Sequence, residues 1–227
     1  MNDFVTAVVL AGGSGSRMKL NITKQRIVIG NESVLRRTVK VFDKCDSIDS
    51  IIVVVREDEV DFAKAELSDM KKVSSVTAGG KTRLESAKKG FDLVNKSTDY
   101  VAIHDGARCF VTENIIKAVL DDAKKYGAAT ASSTLTDTVK KVDGNMDILS
   151  NVDRNTLMAV QTPQIFRADL YEKAIGNIDL SDAEVTDDNM LMERIGITVH
   201  CTDTGKNNIK LTVPEDISYA EFLLNGE

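Results

Sequence analysis

Cysteine, histidine and long apolar runs are what this sequence has least of. Its three cysteines, Cys45, Cys109 and Cys201, are odd in number and widely spaced. That pattern points to reduced thiols in a cytoplasmic protein rather than to a disulfide framework or a zinc site. Only two histidines occur, His104 and His200, far apart in the chain. Neither has a third partner to complete an acid–base triad, and His104 reads as a packed or capping residue. Cys109 has no activating neighbour in sequence, which disfavours a covalent thiol mechanism. No apolar stretch approaches the roughly 20 residues of a membrane span. The N-terminus shows neither a basic leader nor a cleavage site, and its apolar stretch belongs to the fold. Positive charge is in short supply overall, the formal net charge being -6. General nucleic-acid binding is therefore disfavoured, and an anionic ligand must be met by a local cationic pocket. No repeat, low-complexity tract or linker interrupts the 227 residues, which are expected to form a single domain, 1–227.

What the chain does have is a concentrated stretch near its start. Phe4 to Leu10 is apolar and long enough for one buried strand. It runs into Ala11-Gly12-Gly13-Ser14-Gly15-Ser16-Arg17-Met18, with Lys24-Gln25 close behind. Glycines allow the backbone to present bare N–H groups to a ligand, and Arg17 and Lys24 set two cations beside that nest. A triphosphate and the charge built up in cleaving it call for this combination. Met18 stands where a dinucleotide fingerprint needs its third glycine, and no Gly-Lys-Ser/Thr follows, so neither common glycine-loop motif is met. The plain alternative is a strand-to-loop turn with surface cations.

Strand and helix patterns alternate along the first part of the chain. Ile51–Val55 is a β-branched run, Val73–Thr77 and Tyr100–Ile103 are further strands, and Ala128–Ser133 is a strand of small residues. Helices are expected over Glu32–Cys45, Asp58–Met70, Arg83–Val94 and from a Thr112 cap onward. The fold class is thus α/β, a mostly parallel Rossmann-like sheet with helices on both faces. Thr136–Val142 and Met146–Val152 flank Asp143-Gly144-Asn145, a hairpin signal. An isolated polar hairpin needs a surface to lean on, so residues 135–153 are expected to form an arm that packs on a second copy of the chain, the alternative being a hairpin folded back on its own domain. Gln161-Thr162-Pro163-Gln164 then leads to a helix over Ala168–Ile175, and a further helix begins near Thr186. Val199 and Ile209–Thr212 are strand candidates, and Pro214-Glu215-Asp216 opens a last helix.

Asp105, in His104-Asp105-Gly106-Ala107-Arg108, falls at the mouth of the sheet, a place for a carboxylate that ligates Mg²⁺ or pairs with Arg108. Gly79-Gly80-Lys81-Thr82-Arg83-Leu84-Glu85-Ser86 is a second loop before a helix, with backbone groups for a base edge and the Ser86 hydroxyl, or only a turn. Asp153-Arg154 and Asn208-Ile209-Lys210 add further cations beside polar loops.

In their order and spacing these pieces, together with Asp137-Thr138 and Thr186-Asp187, resemble the 2-C-methyl-D-erythritol 4-phosphate cytidylyltransferase family over essentially the whole chain. The resemblance implies joining of CTP to a polyol phosphate with release of pyrophosphate, Mg²⁺ or another divalent cation as cofactor, and a homodimer made through the β-arm. By position it implies Arg17, Lys24, Arg154 and Lys210 as catalytic cations and Asp105 as metal ligand. Ala11, Gly12, Gly13, Gly80, Lys81, Ser86, Asp105 and Ala107 would hold CTP. Thr138, Arg154, Thr162, Thr186 and Lys210 would seat the alcohol phosphate, with Thr138 and Arg154 crossing from the partner's arm. No nucleic acid or membrane partner is implied. The substrate's phosphate is already ionised at neutral pH, so attack needs no general base.

Departures from the family pattern are Thr23 and Cys109 at positions commonly proline, Asp188-Asn189 for a more usual Glu-Ala, and Lys81 at a position often acidic. The sister ribitol-5-phosphate cytidylyltransferases share the chemistry, but Val34–Thr38 and Asp105–Arg108 look more like the methylerythritol enzymes. A nicotinamide oxidoreductase on a similar sheet is disfavoured by Met18.

Overall fold

The computed structural model describes residues 3–13, 18, 22–180 and 184–226. The first strand, β1 (Val5–Ala11), is buried along its full length, as a strand covered on both faces must be. A small ribbon follows, β2 (Val28–Ile29) paired with β3 (Glu32–Ser33). Ser33 caps α1 (Val34–Lys44) by accepting the Arg36 amide. Next come β4 (Ser50–Val55), α2 (Val60–Glu66), β5 (Val73–Ala78), α3 (Arg83–Phe91) and β6 (Tyr100–Asp105). The expected long helix from Asp58 is instead a 3₁₀ turn, Glu57–Glu59, leading into the shorter α2. Thr112 caps α4 (Glu113–Tyr126) through its side chain, and Gly127, at φ 87°, ends it in the left-handed conformation that glycine takes without strain. Then follow β7 (Ala128–Thr134), the hairpin strands β8 (Val139–Val142) and β9 (Ile148–Val152), β10 (Met158–Arg167), α5 (Ala168–Gly176), α6 (Asn189–Arg194), β11 (His200–Asp203) and α7 (Glu215–Asn225).

Seven strands form one sheet in the order β11-β7-β10-β6-β1-β4-β5. β10 runs antiparallel to both its neighbours, while the other pairings in that sheet are parallel. Gln161-Thr162-Pro163-Gln164 leads to the expected helix, but it lies inside a central strand that the sequence reading did not find. Its polar residues and a cis Thr162–Pro163 peptide disguise it, and the pairing with β7 shifts register between Val160 and Gln164. Ile209–Thr212 corrects a second reading. It is an irregular loop, tied to the sheet by the Leu211 amide donating to Ala107 O at 2.9 Å.

Alternate residues of the central strands face two apolar layers. Ala7, Val9, Val53 and Val55 pack with Leu35, Val39 and Phe42 of α1 and with Ile116, Val119 and Leu120 of α4. On the other face Val8, Leu10, Ile52 and Val54 meet Leu84 and Ala87 of α3, Tyr171 of α5 and Leu191 of α6. Close approach of α3 depends on Gly90, where an added Cβ would stand 2.5 Å from Val8 Cγ1 and 2.8 Å from Val54 Cγ2. Alanine is the better helix former by about 1 kcal/mol, yet the overpacking outweighs that preference. Gly90→Ala is expected to lower the unfolding free energy by about 1–3 kcal/mol. A denaturant midpoint at or above that of the parent protein would show the helix free to retreat.

The carboxyl ends of β1, β4, β5 and β6 lie along one edge of the sheet. From β1 the chain passes to β4 and β5 on one side and then to β6 on the other, so a crevice opens between β1 and β6, the place where open α/β sheets take ligands. The β8–β9 hairpin pairs only with itself in a separate two-stranded sheet. It leaves Met146, Ile148 and Leu149 exposed.

Candidate active site

A cavity of about 390 Å³ occupies that crevice, walled by Leu10, Gly12, Gly13, Lys24, Gln25, Gly80, Lys81, Thr82, Arg83, Ser86, Asp105, Ala107, Lys210 and Thr212. Five separate stretches of sequence meet here because each follows a strand end or is tied to one.

Lys24 and Gln25 sit in a short 3₁₀ turn and are buried. The Lys24 ammonium donates to Leu211 O at 3.2 Å, which fastens this turn to the 208–212 loop. The second glycine loop is braced from within. Gly80 N donates to Ser86 Oγ at 3.0 Å, and the Ser86 hydroxyl donates to Thr82 O at 2.8 Å. Lys81 N donates to Glu85 Oε2 at 2.7 Å, and Thr82 caps α3 by accepting the Glu85 amide. A Cβ on Gly80 would fall 2.3 Å from Glu85 Cβ, so only glycine fits there. Ser86 thus shapes the loop as well as lining the cavity.

Asp105 is the electrostatic centre. Its Oδ2 accepts from Lys210 Nζ at 2.7 Å and its Oδ1 from Arg83 Nε at 3.3 Å. Burial opposes the charge, but Arg83 and Lys210 outweigh it and hold the Asp105 carboxyl well below the usual carboxylate range. The alternative pairing with Arg108 does not occur, since Arg108 donates to Asn208 O at 2.8 Å. Arg83 was not singled out by the sequence reading. It bridges two carboxylates, its Nη1 donating to Asp188 Oδ2 at 2.5 Å. Burial works against its charge as well, and Asp188 with Asp105 overcomes that and raises its pKa.

Thr162 lies in the middle of β10. It is buried outside the cavity lining, its hydroxyl accepting from Asp105 N at 3.0 Å and facing His104 Nδ1 at 3.1 Å. These contacts tie it to the end of β6 at Asp105. The rest of the polar strand segment is similarly engaged. Gln161 Nε2 donates to Gly205 O, Asn208 Nδ2 donates to Gln161 Oε1, and Gln164 Nε2 donates to Asp187 Oδ2.

Among the other expected residues, Ala11 is buried in β1 with Gly12 and Gly13 directly after it on the cavity wall. Arg17 lies outside the described residues, as do Ser14, Gly15 and Ser16. Thr138 and Arg154 are exposed at the base of the hairpin, away from this cavity, where Arg154 Nη1 donates to Thr136 O. Thr186 is exposed, with its hydroxyl 3.4 Å from Met190 Sδ.

No proton-transfer group is offered to the cavity by the histidine or the cysteines. His104 is fully buried, and burial pushes its pKa down to about 3. Burial pushes the Cys109 thiol up to about 11. No cluster of three or more His, Cys, Asp or Glu side chains suited to a metal occurs among the described residues. Asp105 alone, ionised and at the cavity wall, fits the way Mg²⁺ is held by one or two carboxylates plus substrate phosphates.

Comparison with known proteins agrees with this geometry. Residues 5–226 match the IspD family, 2-C-methyl-D-erythritol 4-phosphate cytidylyltransferase. The chain is 37% identical over 222 residues to the 2-C-methyl-D-erythritol 4-phosphate cytidylyltransferase of Alkaliphilus oremlandii, covering 96% of this chain and 94% of that one. It is 38% identical over 221 residues to the enzyme of the same name from Clostridium acetobutylicum, with 96% of each chain covered. The 4-diphosphocytidyl-2C-methyl-D-erythritol synthase of Anaerococcus prevotii superposes with a TM-score of 0.89 at 29% identity, over 99% of this chain and 100% of that chain. The 2-C-methyl-D-erythritol 4-phosphate cytidylyltransferase of Francisella tularensis gives 0.82 at 26% identity, over 97% and 99%. With its glycine loops, Asp105 and paired lysines set at the switch point of such a sheet, the chain belongs to the 2-C-methyl-D-erythritol 4-phosphate cytidylyltransferase family.

Proposed function

We propose that this protein joins CTP and 2-C-methyl-D-erythritol 4-phosphate to give 4-diphosphocytidyl-2-C-methyl-D-erythritol and pyrophosphate. The convergence of Lys24, Lys210 and Asp105 on one glycine-walled cavity carries the reading. The phosphate of the alcohol substrate attacks the α-phosphate of CTP in line, and pyrophosphate leaves from the far side. Two anions must approach each other, so the barrier is set by repulsion and by charge gathering on the leaving oxygens. Lys24 and Lys210 supply fixed positive charge at that point, with Arg17 from the glycine loop. The attacking phosphate is ionised before it binds, so the neutral, buried His104 has no proton to take. Gly12, Gly13, Gly80 and Lys81 offer backbone groups to the nucleotide, and Ser86 holds the Gly80 side of that wall. Asp105 would hold Mg²⁺, which when bound supplies further charge neutralisation on the triphosphate.

The hairpin completes the reading. An unpaired two-stranded arm with exposed Met146, Ile148 and Leu149 is covered when it packs on a second copy. Thr138 and Arg154 at its base then serve the partner's cavity, while Thr186 serves its own chain's. A cytoplasmic homodimer with no membrane or nucleic-acid partner follows. The test is pyrophosphate release from CTP and Mg²⁺ with methylerythritol phosphate and ribitol 5-phosphate in parallel. Release with methylerythritol phosphate is expected, and a preference for ribitol 5-phosphate would overturn the assignment.

A further inference from the structure

Behind Asp105 lies a row of alternating charges that does not face the cavity at its far end. Lys210 pairs with Asp105, Asp105 with Arg83, and Arg83 with Asp188. The Asp188 side chain has no solvent exposure. Its Oδ1 accepts from the Tyr171 hydroxyl at 2.5 Å, its Oδ2 from Arg83 at 2.5 Å, and its own amide donates to Gln164 Oε1 at 3.0 Å. Tyr171 is itself wholly buried, stacked on Phe166 with ring centroids 5.3 Å apart. This end of the row is therefore fixed by core packing, while the other end borders the cavity.

From this arrangement we infer that Asp188 is a positioning residue for the reaction: acting through Arg83, it keeps the Asp105 carboxylate available to a divalent cation. Two cations, Arg83 and Lys210, crowd one carboxylate. Asp188 takes a share of the Arg83 guanidinium and restores the balance of two positive and two negative groups. Without its charge, Arg83 has Asp105 as its sole carboxylate partner among the described residues and closes onto it, so that a metal must compete with both cations. Groups that orient a metal ligand from behind typically change metal affinity or activity by about 10–100-fold when altered. The inference rests on the cytidylyltransferase reading, since it presumes a triphosphate–metal complex in the cavity.

The test is calorimetric titration of CTP into the full-length protein in Mg²⁺ and in EDTA, beside kcat and the thermal midpoint. The parent protein is expected to bind CTP more tightly with Mg²⁺. Asp188→Asn, which keeps the shape and loses the charge, is expected to cut that gain about tenfold or more and to lower kcat by a similar factor. Asp188→Glu is expected to retain the gain within about threefold, and Tyr171→Phe to lower the midpoint while leaving the metal dependence in place. An unchanged Mg²⁺ gain in Asp188→Asn, or equal defects in the Asn and Glu variants, would overturn the inference. Should Asp188→Asn not fold, Arg83→Lys decides, because lysine keeps the charge but cannot bridge both carboxylates. An unaltered gain there overturns it equally. Failure of the parent protein to bind CTP sinks the underlying reading instead.

Discussion

Lys24→Ala is expected to lower kcat by about 10²–10³-fold with the fold intact. The magnitude follows from what the ammonium does. It lies at the cavity wall in a buried turn, anchored by its bond to Leu211 O. A pre-placed donor facing charge that develops only as pyrophosphate departs is worth about 3–4 kcal/mol of barrier, far more than an exposed ion pair of about 0–1 kcal/mol. The structural loss is smaller, since one hydrogen bond of about 1–2 kcal/mol goes and the two apolar layers of the sheet are untouched. The variant should therefore keep its circular dichroism and much of its CTP binding while losing turnover. Lys24→Met, which restores the side-chain volume, should be no faster. Either variant within about tenfold of the parent rate would place the charge stabilisation elsewhere.

This division between lost chemistry and retained fold reflects how the site is built, and it bears on what could be read from the chain alone. β1 and β4 were legible because strands covered on both faces need unbroken apolar runs, and Val5–Ala11 and Ile51–Val55 supply them. The cap at Thr112 was legible because capping is local. β10 was not, because Gln161, Thr162 and Gln164 look like loop residues until their partners at Asp105, Asp187 and Asn208 are brought alongside. Arg83 was missed for the same reason. In sequence it belongs to a charged run before a helix, whereas its two carboxylates lie 22 and 105 residues away. Lys24 and Lys210 were singled out beside polar loops and given roles by family likeness, and the fold brings both to one cavity. The contacts of the Thr162 hydroxyl to Asp105 N and His104 Nδ1 were not legible, because those residues lie 57 and 58 positions away in sequence.

A second large effect concerns acid. Burial sets the protonation state of His104. The Arg108 carbonyl can only accept, so His104 Nε2–H donates to it at 3.2 Å, while Nδ1 stands 3.1 Å from Thr162 Oγ1, which also accepts from the Asp105 amide. Burial favours the neutral ring and lowers the pKa from 6.5 to about 3, with Asp105 and the hydrogen bond to Arg108 O pulling the other way. In the unfolded chain the ring titrates near its ordinary value. Between these two values the unfolded state binds a proton that the folded state does not, so stability falls as the pH falls through this window. The slope approaches about 1.4 kcal/mol per pH unit, giving roughly 2–3 kcal/mol lost by pH 4.5. Asp105 contributes in the same sense only lower down, because its depressed pKa costs stability once the pH nears the unfolded value of 3.8. Denaturant unfolding of the parent protein between pH 7 and 4.5 should show this decline. His104→Gln, whatever its starting stability, should remove about one proton's worth of slope. Equal slopes would mean that the ring is protonated in the folded state. In that case the Thr162 hydroxyl would have to turn away from Nδ1, and the support beneath Asp105 would differ from the one described.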